Sequence, residues 1–548
     1  MMSASPQSKK VLVHSQRQRS RPTSPSPSPP PDLSYTTAPS NELAKDLPPA
    51  PASWLTLPHK RQLFVLALCR LSEPLANTSL LSYFYYLLES FHEPGTPPPS
   101  SATISRHAGI IASSFALSQC MTGMIWGWLS DRIGRKPCVL LGLVGSAISA
   151  LGLGFSNTFE SALMFRILGG CLNGNVGVLR TMLSETVREK RHQSRAFLIM
   201  PMCFNVGIIV GPALGGILAD PASSWPEVFG HWEWCQRHRW ALPNVVSAMF
   251  LTGSFIAGLG FLNEVDIYLP FVRPEVEGAN GYQTLESKKH RSIGHDVQSF
   301  LSRQFHRLRG APTDEASPLI ARPAATPPAT PPPATPVLTP NIVKTLFAFA
   351  LLPLHNNTFM NLYPLLLSAP HGAPLHGGLS LSAQSVGLAL SILGALGITC
   401  QLLFYPPLHA RLGLLRSFQL GCCLFPVAYT LTPLLSFLTP GSTFMWVAIM
   451  GILGMQITAR TFALPGAVIL LTNSIEEEEV LGTVHGIGSS LASAARAVGP
   501  VVGAWLFAAG LEASGGVGVG GVFWVLAAVG AAGAVWGLRM REGRGLGV

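Results

Sequence analysis

The chain has 548 residues, of which 48% are hydrophobic and only 12% charged, and its mean hydropathy is +0.36. That composition excludes an ordinary soluble enzyme and fits a polytopic membrane protein. The formal net charge of +10 calls for no nucleic acid, because the basic residues fall where membrane topology puts them.

Residues 1–60, with the run SRPTSPSPSPPPD, are too rich in Pro and Ser to bury a core and lack a signal-peptide apolar stretch, so they read as a disordered cytoplasmic tail. About twelve apolar stretches of roughly 20 residues follow, each long enough at ~1.5 Å per residue to cross a ~30 Å hydrocarbon core. The first six, at 62–88, 108–130, 138–156, 160–182, 195–219 and 241–262, make an N-terminal half at 61–262. Residues 263–340 form a cytoplasmic central loop, basic at ESKKHRSIGHDVQSFLSRQFHRLRG and then Pro-rich. It reads as a linker, with Thr326, Thr330, Thr335 and Thr339, each before Pro, as candidate phosphorylation sites. The second six stretches, at 341–368, 384–406, 416–437, 443–471, 483–510 and 517–538, make a C-terminal half at 341–548 with a short cytoplasmic tail. The expected fold class is an all-α integral membrane protein of two six-helix pseudo-repeats.

Lys60 and Arg61 precede the first stretch, Arg132, Arg135 and Lys136 follow the second, and Arg188, Lys190, Arg191 and Arg195 follow the fourth. Arg411, Arg416, Arg539, Arg541 and Arg544 continue the alternation, whereas the other side carries only Arg106, Arg237 and Arg239. Both termini are therefore expected in the cytoplasm. The repeat is visible directly. EPLANTSLL aligns with LPLHNNTFM, pairing Pro74 with Pro353 and Asn77 with Asn356. At the same offset GWLSDRIGR aligns with PPLHARLGLL, pairing Arg132 with Arg411 and Gly134 with Gly413, and later GPALGG matches GPVVGA. Two halves that rock against one another give alternating access to a site near the bilayer midplane.

The repeat and the loop after the second stretch resemble the major facilitator superfamily, whose signature there is G-x-L-x-D-R-x-G-R-[KR]. Gly127, Leu129, Asp131, Arg132, Gly134, Arg135 and Lys136 match it. Arg166 and Gly170 resemble the family's R-x-x-x-G element, and Gly207, Gly211, Pro212, Gly215 and Gly216 its antiporter element. The words RLSEP, LLTNS and LASAARAVGP look most like the zinc-induced facilitator-like group and its fungal relatives, within the drug:proton antiporters. The resemblance covers nearly all of residues 60–540. It implies a latch at Asp131 and Arg135 that closes the inner side, proton relay at Arg166, and a tight seal between halves at Gly211 and Pro212. Ala410 stands where Asp131 does in the repeat, so the latch is asymmetric.

Ionisable residues inside spans cost ~2.5–3.5 kcal/mol at the helix centre and are functional candidates for that reason. Arg70 and Glu73 lie near the midplane at i, i+3 spacing, on one helix face. They read either as a mutual ion pair or as a proton carrier and its partner, since a buried carboxyl can titrate near neutral pH. Arg166 and Arg496 are further candidates, Arg166 with a carbonyl or lipid phosphate as the bland alternative. Arg180 and Arg460 are expected nearer the cytoplasmic boundary, where long side chains snorkel. His355, Asn356, Asn357 and Asn361 give the seventh stretch a polar patch that suits substrate contact or helix–helix hydrogen bonding equally.

The nine cysteines show no paired framework, and HWEWCQRHRW at 231–240 matches no standard zinc site, so no metal is expected. No Walker lysine motif, G-x-S-x-G element or H-E-x-x-H helix occurs, which argues against an enzyme and leaves no cofactor to expect. The reading is a secondary transporter exchanging protons for a small organic solute or xenobiotic, working as a monomer in the lipid bilayer of a plasma or vacuolar membrane. The alternatives are a facilitator or symporter for a nutrient, against which no P-E-S-P-R follows the sixth stretch, and a transporter-like sensor signalling through the central loop.

Overall fold

The computed structural model describes residues 57–92, 95–187, 190–264, 339–475, 478–513 and 515–543. Thr326, Thr330, Thr335, Arg188 and Arg544 lie outside them, as do nearly all of the N-terminal tail and the central loop. Thr339 is described: its hydroxyl accepts from the amide of Ile342 at 3.3 Å and caps the next helix.

Before the central loop run α1 (Lys60–Glu89), α2 (Ser101–Ile133), α3 (Arg135–Gly154), α4 (Phe159–Cys171), α5 (Asn175–Thr186) and α6 (Lys190–Leu218). Three short helices, α7 (Pro221–Ser224), α8 (Pro226–Phe229) and α9 (Glu233–Arg237), lead into α10 (Ala241–Phe261). After the loop come α11 (Pro340–Ser368), α12 (Ala383–Thr399), α13 (Tyr405–Leu431), α14 (Thr443–Asn473), α15 (Glu478–Glu512) and α16 (Gly520–Leu538). Lipid offers no partners to the backbone, so helices are the structure such a chain must take. Their exposed starts are closed by side-chain caps: Ser100, Thr158, Ser382 and Ser442 each accept an amide of the first turn.

Nine helical segments among the described residues are long and apolar enough to cross a membrane, one of them a continuous 55-residue run, Ala383–Phe437. That run is two legs: a π turn at Cys400–Phe404 leads into α13, and Gly413 breaks α13 with φ 76 and ψ 173. Gly134, its repeat partner, breaks the chain between α2 and α3 with φ 102 and ψ 162, a conformation only glycine adopts without strain. With α1 and α11, 30 and 29 residues long and polar at their middles, the bundle has twelve legs. Pro74 and Pro353 both sit inside their helices, so the repeat is present in geometry as well as in sequence.

The fourth stretch departs from the continuous span expected at 160–182. It is broken at Leu172–Gly174 between α4 and α5. Gly170 and Gly174 let α2 press against the chain there. Side chains of α2 take up the carbonyls the break leaves free: Trp126 Nε1 donates to Cys171 O at 2.8 Å and Gln119 Nε2 to Asn173 O at 3.3 Å.

The helices before and after the loop meet along α2 with α15 and along α6 with α12. With lipid as solvent, small residues and hydrogen bonds rather than apolar burial drive such contacts. Gly109 lies against Pro500 and Ala504, and Gly216 against Ala383 and Gly387. Gly207, Gly211 and Gly215 turn the other way, onto Pro74, Leu75, Thr78 and Ser79 of α1. Thr78 and Ser82 donate to the carbonyls of Gly207 and Pro212 at 2.7 and 2.8 Å. The glycine element thus joins α6 to α1 within the first half, while Gly216 and the Pro212 carbonyl face Gly387 of the second.

Candidate functional site

Arg70 and Glu73 form an ion pair of 2.8 Å near the middle of α1, with side chains only 11% and 12% exposed. Pro74 follows directly and has no amide hydrogen to give Arg70's carbonyl, so α1 has a free acceptor beside its charges. Arg166 on α4 donates from Nη1 to Asn77 Oδ1 at 3.0 Å, and its guanidinium lies 4.5 Å from the Phe115 ring centroid. On α15, Arg496 donates to Ser493 Oγ at 2.8 Å, its carbonyl accepts from Asn357 Nδ2 at 3.2 Å, and it interacts electrostatically with Glu73 across the two halves. Arg180 on α5 is exposed and interacts electrostatically with Arg70, His485 and Arg496. Glu73 and Arg180 of the first half are thus linked electrostatically to Arg496 of the second, whereas Arg166 contacts α1 and α2.

Two expectations change. Arg460 does not snorkel: it is buried, with its guanidinium 5.1 Å from the ring of Phe204 on α6, in the opposite half. His355 turns away from the interface. It is 1% exposed, bonded through Nδ1 to Tyr429 Oη at 2.9 Å and packed edge-on to Phe425 on α13. Asn356 accepts from Gln456 Nε2 at 2.9 Å, which again joins two helices. Between halves, Asn205 on α6 donates to Gln401 in the π turn after α12. Sequence reasoning missed Gln401, Asn205, Gln456 and the placement of Arg460. The signal for Arg460 was its position well inside α14, far from either end.

At the Lys60 end, Arg135 is the centre of a second cluster. Its guanidinium donates to Ser130 Oγ at 2.7 Å, to Asp131, and to Glu185 Oε1 of α5 at 3.1 Å. Glu264 Oε1 accepts from the Arg135 amide at 2.6 Å and Oε2 from the Lys136 amide at 3.1 Å, so a carboxylate closes the positive N-terminus of α3. Arg132 lies 4.3 Å from the Trp128 ring. Asp131 is thus satisfied by its own segment, and the second acid on Arg135 is Glu185. A wide groove of about 390 Å³ opens between α1 and α6 near this end, lined by Leu63, Phe64, Leu68, Leu71, Met202 and Val206. It is apolar and holds none of the buried arginines.

At the Glu89 end the halves are fastened. Arg106 of α2 is paired with Glu512 of α15 and lies over Trp505. Tyr86 donates to the Leu381 carbonyl, and Trp240 stacks on Tyr83 and Tyr86. Contacts between halves continue to the level of Asn205 and Gln401. Beyond it, toward the Lys60 end, Gly123 and Gly127 of α2 face open space and Met121, Met124 and Ile125 are exposed. Among the described residues no three His, Cys, Asp or Glu side chains gather to hold a metal.

The family model described as Major Facilitator Superfamily matches residues 66–459. The chain is 33% identical over 488 residues to the Major facilitator superfamily multidrug transporter mfsB of Aspergillus fumigatus, covering 84% of this chain and 80% of that protein. It is 28% identical over 439 residues to Protein ZINC INDUCED FACILITATOR 1 of Arabidopsis thaliana, covering 80% and 82%. Its fold matches the crystal structure of a D-xylose-proton symporter with a TM-score of 0.60 at 13% identity, covering 88% of this chain and 98% of that one.

Proposed function

The chain belongs to the major facilitator superfamily, and from that premise we propose that it is a secondary active transporter exchanging protons for a small organic solute by alternating access. The likeness to a fungal multidrug transporter supports a small organic solute as the substrate class. The observation that carries proton coupling is the Arg70–Glu73 pair. Glu73 lies near the middle of α1 and interacts electrostatically with Arg496 of the other half.

The chemistry follows from the pair. While Glu73 is ionised, its charge is taken up by Arg70. When water admitted from one side protonates Glu73, the ion pair ends and Arg70 is left to seek another partner. Solute and proton then compete for one charged centre, which is the minimal requirement for exchange. Arg166 is held beside this centre by Asn77 of α1 and the Phe115 ring of α2. The cluster around Arg135 acts as the gate at the Lys60 end, assigned to the cytoplasm by its basic residues. Closure there brings the faces of Gly123 and Gly127 against the opposite half.

Purified protein in sealed vesicles with an imposed pH gradient tests this. Wild type is expected to accumulate solute uphill. Glu73→Gln is expected to lose accumulation while still exchanging labelled for unlabelled solute at equal concentrations. Uphill transport by Glu73→Gln would remove Glu73 as the carrier.

A further inference from the structure

The groove of about 390 Å³ between α1 and α6 plays no part in the exchange just described. Toward the Glu89 end these two helices are held close by Gly207, Gly211 and Gly215, which lie on Pro74, Thr78 and Ser79. That spacing stops at Gly207, and toward the Lys60 end the facing positions carry full side chains, Leu68 and Leu71 against Ile199 and Met202. Cys203 Sγ donates to the Ala67 carbonyl at 3.4 Å and closes the floor. The groove faces away from the charged pair. Phe64 and Glu73 are about two and a half turns apart on α1 and so occupy opposite faces. Glu73 interacts with Arg496 of the other half, whereas Phe64 on the groove is 70% exposed. In a chain that spans a membrane, an exposed apolar face of this kind meets lipid. From Lys60 to Leu71 the groove runs about 16 Å at ~1.5 Å per residue, which is half of a ~30 Å hydrocarbon core. Its lining is apolar except at the mouth, where Lys60 stands. Arg61, next to it, lies 4.6 Å from the Phe261 ring of α10. Among the described residues neither cation has a carboxylate within ion-pair distance, and the first turn of α1 holds no acid.

We infer that this groove binds an anionic phospholipid from the leaflet at the Lys60 end, with one acyl chain along Leu63, Leu68 and Leu71 and the phosphate on the Lys60 ammonium. An apolar slot one leaflet deep with a cation at its rim matches a molecule that joins a long hydrocarbon chain to an anionic head. Lys60 suits the rim because its flexible stem lies along apolar surface while the ammonium stays at headgroup level. The dimensions exclude a helix: spread over about 16 Å, the volume leaves a cross-section of about 24 Å², far below that of a helix about 10 Å across. A single chain of methylenes fits that width. An occupant there packs against the back of the helix that carries Arg70 and Glu73.

Full-length protein, with exposed native cysteines replaced by serine and a bimane on Met202→Cys at the groove wall, is placed in phosphatidylcholine vesicles. Brominated phosphatidylglycerol or brominated phosphatidylcholine then replaces part of the lipid. Bromine quenches at contact, so the signal reports the groove and not basic residues elsewhere. Phosphatidylglycerol is expected to quench at a mole fraction about fivefold lower than phosphatidylcholine, the worth of one Lys beside an anionic headgroup. Unlabelled phosphatidylglycerol is expected to reverse the quenching. Lys60→Gln, at an exposed position, is expected to bring the two curves together, and Lys60→Arg to keep them apart. Equal quenching by the two lipids overturns the inference, as does an unchanged preference in a folded Lys60→Gln protein. No quenching by either lipid overturns it too, since the groove is then closed to acyl chains. If tetraphenylphosphonium relieves the quenching and unlabelled phosphatidylglycerol does not, the groove belongs to the solute and the lipid assignment falls.

Discussion

His355 and Glu73 are both polar residues in the middle of apolar helices, and their surroundings set them apart. His355 has a full set of neighbours on its own side of the bundle: Tyr429 Oη at 2.9 Å, Phe425 edge-on, and 1% exposure. Tyr429→Phe removes the hydroxyl and leaves a buried ring nitrogen unpaired, which costs about 1–3 kcal/mol. The thermal midpoint is expected to fall, with solute affinity unchanged. An affinity loss without a fall in the midpoint would return His355 to the substrate contacts. The Arg70–Glu73 pair was legible from sequence because both partners lie three residues apart in an apolar run. The partner of His355 is 74 residues away, and the ring beneath Arg460 lies on a helix of the other half. Contacts of that kind depend on packing, which spacing along one helix does not encode.

At the scale of helices, the glycines divide by what lies over them. A side chain at Gly215 would overlap the Ser79 carbonyl of α1, a backbone atom that moves only if the whole helix moves. Gly215→Ala is therefore expected to cost about 1–3 kcal/mol, read as a fall in thermal midpoint. Gly127 has nothing within 4 Å. Gly127→Ala is expected to leave the midpoint of this conformation alone while slowing transport, because the open face of α2 must close against the other half during the cycle. Equal effects of both substitutions on stability would mean that Gly127 is already packed. The glycine element was legible as a close approach, but its partner was not: motif spacing marks one face of α6 and leaves open whether α1 or α12 lies on it. The break at Leu172–Gly174 was hidden for a related reason. Its freed carbonyls are bonded by Trp126 and Gln119 of α2, and an apolar run containing glycines looks the same whether or not another helix repairs it.

For the molecule as a whole, the two ends of the bundle carry different fastenings. The motif that dominates the sequence, around Asp131 and Arg135, is bonded within the first half, whereas the pair that spans both halves, Arg106 with Glu512, belongs to no motif. Glu512 sits at the end of α15 and Arg106 at the start of α2, so each alone looks like a boundary charge. Together with Tyr86 and Leu381 they hold the Glu89 end shut. An exposed ion pair is worth about 0.2–1 kcal/mol, so removing one that exists only in the closed state shifts a two-state ratio about two- to fivefold at the upper part of that range. Ala504, 1% exposed beneath Gly109, reports that ratio. With exposed native cysteines replaced by serine, Ala504→Cys is expected to react with a membrane-impermeant maleimide about two- to fivefold faster once Glu512→Gln is added, and only from the side of the Glu89 end. If Glu512→Gln leaves the rate of labelling unchanged, the Arg106 pair is a surface contact and the closed end is held by the glycine packing of α2 on α15 alone.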